Sequence, residues 1–371
     1  DMDVSIIDEK EVLQSAGASE EASSDSDEVF IEQGISVKGF VFDRRRPSNP
    51  KLPRTVTKLN FPFAKKSPAD ADQQIEVLDA LANASVYLIG TAHFSHESQK
   101  DVLKTIQKVQ PDLVMVELCP SRVTMLSMDE ETLLRESRNL TFEKMLSLIK
   151  QNGVIQGILQ VLLLSMSVHV TRELGMAPGS EFRAAYDGAM KVKQCRIILG
   201  DRPIQITLQR ALGSLNIFQK IRLFYDLIVS LGSSVTSEDV ERCKDSDILE
   251  GFLKEMAGEF PLLSKIFVEE RDMYMVNTLH AILRSTTIEK LEACKSENVK
   301  YQPVCVVAVV GIGHVSGIVA NWEKRISTAD LLTIPKPSRI SGFIKFGFKV
   351  AFAGLVVYAA YRCGTQLYKK I

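Results

Sequence analysis

The sequence predicts an α/β fold: a central, largely parallel sheet with flanking helices and a helical insertion, plus a C-terminal transmembrane helix. Three observations lead there. Between residues 74 and 330, short β-branched apolar runs alternate with helix-spaced stretches, the pattern of βαβ units. Two of those runs lead into one frame, strand then Gly-x-x-His-x-Ser: Gly90-Thr91-Ala92-His93-Phe94-Ser95 and Gly311-Ile312-Gly313-His314-Val315-Ser316. A last apolar stretch, residues 343–367, carries basic residues and aromatics at its ends, as membrane-interface segments do.

A chain of 371 residues with 45% hydrophobic and 25% charged residues can bury one large core or two small ones. A net charge of −1 gives no global pull toward nucleic acid, and no nucleic-acid partner is expected. Its 6 cysteines are scattered without a C-x-x-C pair, which argues against a disulfide framework or a cysteine zinc site and fits a reducing compartment. The first thirty residues are acidic and lack the apolar core of a secretory leader.

The elements follow in order. Residues 1–73 read as a disordered acidic tail and a basic linker. The tail holds Ser23-Ser24-Asp25-Ser26-Asp27-Glu28 and buries too little apolar area to offset its ordering entropy. It is either a solvated segment or a site for a protein partner. Residues 34–66 reverse the sign, with Arg44-Arg45-Arg46 and Lys65-Lys66, and prolines 47, 50, 53 and 62 break any helix. Pairing of this stretch with the acidic tail is the simplest use of its charge. The folded α/β domain spans residues 74–330. Ile75–Leu78 and Val86–Ile89 read as strands, 98–109 as a helix stopped by Pro111, and Asp112–Glu117 as a strand. Cys195–Leu199 and Pro303–Val310 are two more strands, and 262–283 a long amphipathic helix. The uncharged stretch 153–170 is interrupted by glutamines, serines and His169, so it reads as a core helix and not a membrane span.

Four strands end in a polar signature: His93, Glu117, Asp201-Arg202 and His314. Parallel strands linked by helices share one carboxyl edge, where open α/β sheets place ligands. Two imidazoles and a carboxylate could bind a divalent metal with an open position for water. Without metal, they could act as a general base and its orienter. A glycine after a strand is also ordinary turn chemistry. The repetition of the histidine is what favours function.

These residues carry a resemblance. Gly90–Ser95, Val116–Arg122 and Gly311–His314 resemble the hallmarks of the TraB/PrgY/GumN family, as do Leu174–Glu181, Gly200–Pro203 and Glu270–Asp272. The resemblance covers about residues 74–325 and includes several motifs in the same order. The family is grouped with Tiki metalloproteases and erythromycin-esterase-like enzymes, which share paired G-x-x-H motifs and an essential glutamate. It implies a metal-dependent peptidase or hydrolase acting on a peptide substrate. His93, Glu117 and His314 would bind a divalent ion such as Mn²⁺, Zn²⁺ or Co²⁺, and Arg122 would orient Glu117 or the substrate. Glu181, Arg202 and Arg271 would be supporting or substrate-binding residues, or else ion pairs that fasten helices to the sheet.

Residues 331–342, with Pro335 and Pro337, read as a linker, and 343–367 as a tail anchor. Only Val350–Tyr361 is free of charge, so Lys345, Lys349 and Arg362 must snorkel if it spans a bilayer. The alternative is an amphipathic helix lying on the domain or on a membrane surface. A short, moderately apolar anchor with basic flanks suits the mitochondrial outer membrane, with the endoplasmic reticulum as the alternative, and leaves the domain facing the cytosol. A non-enzymatic adaptor or tether built on the same fold is the competing function.

Overall fold

A computed structural model describes residues 34–35, 39–62, 72–92, 95–123, 126, 179–216, 218–220, 222, 225 and 261–334. Residues Asp1–Thr333 and Ile334–Ile371 are separate compact units. The acidic tail 1–33, His93, the stretch 153–170 and the proposed anchor 343–367 lie outside the described residues. Among the described residues, no helix is long and apolar enough to cross a membrane.

The sheet has six strands: β1 (Gly34–Ile35), β2 (Val56–Asn60), β3 (Ser85–Thr91), β4 (Leu113–Val116), β5 (Arg196–Leu199) and β6 (Cys305–Gly311). Their order across the sheet is β1-β5-β4-β6-β3-β2. The four inner strands are parallel. β1 and β2 close the two edges antiparallel. β6 lies between β3 and β4, pairing Ser85 with Cys305 and Leu113 with Val306. Its seven residues, Cys-Val-Val-Ala-Val-Val-Gly, are all buried, as expected for a strand covered on both faces.

The two faces separate by alternation along each strand. Tyr87, Ile89, Val114, Val116, Val307 and Val309 point to one side. There they meet α2 (His96–Val109), through Val102, Ile106 and Val109, and α3 (Ser180–Met190), through Phe182 and Ala185. Val86, Leu88, Met115, Val306, Ala308 and Val310 point to the other. They pack on Leu81 of α1 (Asp72–Ala82), and farther along the chain on Met275, Leu279 and Leu283. Those three belong to the 28-residue helix α6 (Glu270–Glu297), which follows α4 (Ile204–Ser214), the single turn α5 (Pro261–Ser264) and a π-helical turn at Lys265–Glu269. α7 (Ile312–Asn321) leaves β6 directly, and α8 (Thr328–Leu332) ends the unit.

Three sequence expectations change. Ile75–Leu78 belongs to helix α1 and not to a strand: tertiary packing of Leu81 overrides the local β-branched character. The long helix extends to Glu297, beyond the expected residue 283. The basic stretch is part of the fold, since Val56–Asn60 is an edge strand of the sheet. Arg44 and Arg46 do not serve a free linker: both reach the buried Asp112, at 3.2 and 2.9 Å. Lys290 joins them at 3.0 Å, and the Cys305 amide donates to the same carboxylate. Burial opposes ionisation of Asp112, but these cations and the amide hold its carboxyl below the ordinary value.

Candidate functional site

The carboxyl edge of the parallel strands gathers charge. Glu117 follows β4 directly, and its Oε2 accepts the Gly311 backbone N–H at 2.8 Å, where β6 passes into α7. A carboxylate at a helix N-terminus is favoured by the free amides there. The same turn presents His314, whose Nε2 lies 3.1 Å from Glu117 Oε1. On the far side of the ring, Nδ1 lies 2.6 Å from Asp272 Oδ1. The imidazole is therefore gripped at both nitrogens by carboxylates from two different elements.

Arg271 completes the cluster. Its Nε and Nη2 each donate to Asp201 at 2.9 Å, Nη2 also donates to Glu117 Oε1, and Nη1 sits 3.2 Å from His314 Nε2. Nη1 also donates at 3.2 Å to Phe267 O, a carbonyl of the π-helical turn. Burial would raise the Glu117 carboxyl, but Arg271 and His314 overcome it and hold it well below the usual carboxylate range. Burial would lower His314, but the Glu117 charge and the hydrogen bonds to Asp272 and Glu117 push it up to about 9. At neutral pH the ring thus carries both protons, one aimed at each carboxylate.

Two glycines make the geometry possible by having no side chain. A Cβ on Gly317 would lie 1.9 Å from Asp272 Oδ2, so α7 approaches Asp272 only at a glycine. A Cβ on Gly90 would lie 2.8 Å from Val315 Cγ2. The glycine that opens the first frame therefore serves the close packing of α7 on β3, not the sharp turn read from the sequence. Neither has a positive φ. A Cβ on Gly313 would meet nothing within 4 Å, so that face of α7 is open.

The site residues named from the sequence separate into groups. Glu117, His314 and Arg271 meet. Arg122 lies in the 3₁₀ turn Pro120–Arg122 and donates to Asp201 Oδ2 at 2.7 Å. Arg202 is fully buried and bonds Glu270 at 2.7 Å, Thr207, and the carbonyls of Ile266 and Leu331. These bonds join α4, α6 and α8 to the residues that follow β5. Glu181 is buried in the first turn of α3, with Ser180 Oγ 3.5 Å from its carboxylate. His93 lies outside the described residues. His96 is the exposed first residue of α2. Two residues of the cluster had no site role of their own in the sequence reading: Asp201 entered only with Arg202 as a strand-end signature, and Asp272 only within the motif Glu270–Asp272.

Among the described residues, no group of three or more His, Cys, Asp and Glu side chains is set to hold a metal ion. Glu117 and His314 are two donors from different strand ends. The carboxylate on the far ring nitrogen is the arrangement that orients metal-binding histidines.

A family model described as TraB/PrgY/gumN matches residues 78–324. A TraB domain-containing protein of Homo sapiens is 44% identical over 323 residues, covering 87% of this chain and 80% of that protein. One of Bos taurus is 43% identical over 323 residues, with the same coverage. An uncharacterised protein of Methanocaldococcus jannaschii is 28% identical over 299 residues, covering 77% of this chain and 67% of its own length.

Proposed function

The chain belongs to the TraB/PrgY/gumN family, and from that premise we propose that it is a metal-dependent hydrolase of peptide or ester bonds. The working centre is the series Glu117–His314–Asp272. The observation behind this reading is the double grip on His314, at 3.1 Å on Nε2 and 2.6 Å on Nδ1, at the ligand-binding edge of the sheet.

His93, Glu117 and His314 would hold the divalent ion, whether Mn²⁺, Zn²⁺ or Co²⁺. Bound there, the ion would lower the pKa of a water and polarise the scissile carbonyl. The protein's own groups have separate tasks. Asp272 fixes the ring through Nδ1, so Nε2 faces Glu117. The Gly311 amide fixes the second Glu117 oxygen. A carboxyl held so far down is an ionised ligand or anchor and a poor proton acceptor. In the metal-free use of the same residues, the doubly protonated His314 is the proton donor to a leaving group. The test is the metal content of the full chain. Wild type should carry a divalent transition ion in stoichiometric amount, and His93→Ala plus His314→Ala should lose it. Equal content in the two proteins would remove the metal from the proposal.

The competing proposal is a non-catalytic adaptor or tether at the mitochondrial outer membrane. It is favoured by Arg271, which already neutralises Glu117 and contacts His314 as a structural ion-pair network does. Residues 343–367 would supply the membrane anchor in either case, with the endoplasmic reticulum as the alternative address, and the acidic tail would meet a protein partner. Deleting 343–371 should release the protein into the cytosol, read by fractionation. A membrane-bound truncation would end the anchor proposal. Glu117→Gln separates the two functions: it should abolish hydrolysis if the chain is an enzyme, and leave membrane tethering intact if it is not.

A further inference from the structure

Two arginines reach the centre, and they are used differently. Arg271 has every donor nitrogen engaged: Nε and Nη2 on Asp201, Nη2 also on Glu117, and Nη1 on Phe267 O. Arg122 bonds one oxygen among the described residues, Asp201 Oδ2, from Nη2 at 2.7 Å. Its Nε is buried with no oxygen or nitrogen partner among the described residues, and the Cys119 side chain is a second, weak partner of the guanidinium. Nη1 carries none of the described bonds, and the side chain is 37% exposed, so the guanidinium spans from the buried carboxylate to the rim.

Asp201 has little left to give. Its oxygens accept Arg271 Nε and Nη2 at 2.9 Å, the Arg202 amide at 2.8 Å and Arg122 Nη2. The neighbouring Cys119 sulfur is a weak acceptor and is already 3.1 Å from Ser121 Oγ. Buried donors without partners are rare, and each calls for a physical explanation. Arg122 is also well placed to meet one. It sits five residues after Glu117, in the 3₁₀ turn that leaves β4 at the carboxyl edge. It is one shared carboxylate away from Arg271, which bonds Glu117.

We propose that the free donors of Arg122 are the carboxylate handle of the site, so that the preferred substrates carry a carboxylate near the bond to be cleaved. The inference deepens the hydrolase reading and rests on it for the word substrate. The recognition itself needs only the guanidinium and an anion. Arginine suits the task because it stays charged at every working pH and donates in fixed directions. Asp201 holds Nη2 and sets the angle of the group, while the N–H groups of Nη1 remain for the ligand.

The test uses the full chain and three probes: N-acetyl-dialanine, its C-terminal amide, and N-acetyl-aspartyl-alaninamide, whose only carboxylate is on a side chain. Binding is followed by calorimetry and by the protection of Arg122 from phenylglyoxal, read by mass spectrometry. The free acid should bind wild type at least about tenfold more tightly than the amide, the size of one charged hydrogen-bond pair. It should also protect Arg122. Arg122→Gln should erase the difference between acid and amide, and Arg122→Lys should restore part of it. An unchanged melting temperature in both variants shows that the fold is kept. Binding by the aspartyl probe alone assigns the handle to a side-chain carboxylate, and binding by the dialanine acid alone assigns it to a chain terminus. Measurable and equal binding of the dialanine acid and its amide, no binding by any probe, or a carboxylate preference that survives in Arg122→Gln overturns the proposal. If the acid binds through Arg122 but no peptide or ester is turned over, the hydrolase reading falls and the handle stands.

Discussion

At residue 317 the distance between backbone and carboxylate leaves no room for a methyl group: a Cβ there would sit 1.9 Å from Asp272 Oδ2 and 2.6 Å from its Cγ. Four residues earlier on the same helix, Gly313 faces open space. The two glycines therefore respond oppositely to the same change. Gly317→Ala should push Asp272 off His314 Nδ1 and cost about 1–3 kcal/mol, the usual range for overpacking. Gly313→Ala should be neutral or add up to about 1 kcal/mol, since alanine is the better helix former. Urea unfolding gives the energies. An NMR titration of the His314 ring gives the loss of its carboxylate partner as a fall from the value near 9. Equal responses at the two positions would contradict the packing described. At this scale Glu117 and His314 were legible because each ends a strand in a polar residue. Asp272 was not. Adjacent residues on a helix point about 100° apart, and the sequence does not say where that helix lies against the sheet. Only the assembled structure shows Arg271 and Asp272 flanking one imidazole.

The elements nearest the sheet centre were read well, and the edges were not. β3 to β6 are short, β-branched and bounded by turn residues, so periodicity alone found them. β2 carries lysine and asparagine in Val-Thr-Lys-Leu-Asn and lies in a basic, proline-rich stretch, so composition hid it. Its end is fastened by side chains from distant elements. Trp322 Nε1 donates to Asn60 O at 2.7 Å, and His280 of α6 packs 5.6 Å from the Phe61 ring and 4.6 Å from Trp322. Burial lowers the His280 ring to about 4, and the nearby Arg284 charge adds to that. The folded protein thus holds this histidine neutral where the unfolded chain would protonate it. Its contribution to stability is fully present above the ordinary value of about 6.5 and is lost as pH falls through about 4. Between pH 7 and pH 4, wild type should lose up to roughly 3 kcal/mol more than His280→Leu, at 1.36 kcal/mol per unit. Parallel pH profiles in both proteins would show that His280 is not the group responsible.

Across the whole molecule the two ends of the sheet have different characters. The carboxyl end carries the candidate site. The amino end carries a closed ion cluster in which Arg44, Arg46 and Lys290 all meet Asp112. Arg44 also donates to Lys193 O and Gln194 O, and Arg46 to Gln110 O and Pro303 O. One carboxylate thus ties the N-terminal arm, β4 and α6 together. Asp112→Ala would strand three cations, and it should cost about 3–5 kcal/mol, as for other buried pairs broken from one side. Lys290→Met leaves two arginines for one carboxylate and should cost much less. Denaturant unfolding of both variants checks the asymmetry, and equal losses would contradict it. No local window could have shown this cluster. Arg46 and Asp112 are 66 residues apart, and the arm reads as a linker until its partner is in view.

The last strand in chain order, β6, is one of the two central strands of the sheet. β3 and β4 do not pair with each other; both pair with β6, and Thr91 Oγ1 donates to Val310 O across 219 residues of chain. Without β6 the sheet would divide into two leaves, β2–β3 and β1–β5–β4, each with an open hydrogen-bonding edge. Such edges invite aggregation and chaperone capture until they are covered. β6 arrives as a wedge that seals both edges at once, and with it come the Gly311 amide and His314. The charge cluster of the carboxyl edge is thus completed by the same strand that finishes the sheet, and a chain without β6 lacks both the Gly311 amide and His314.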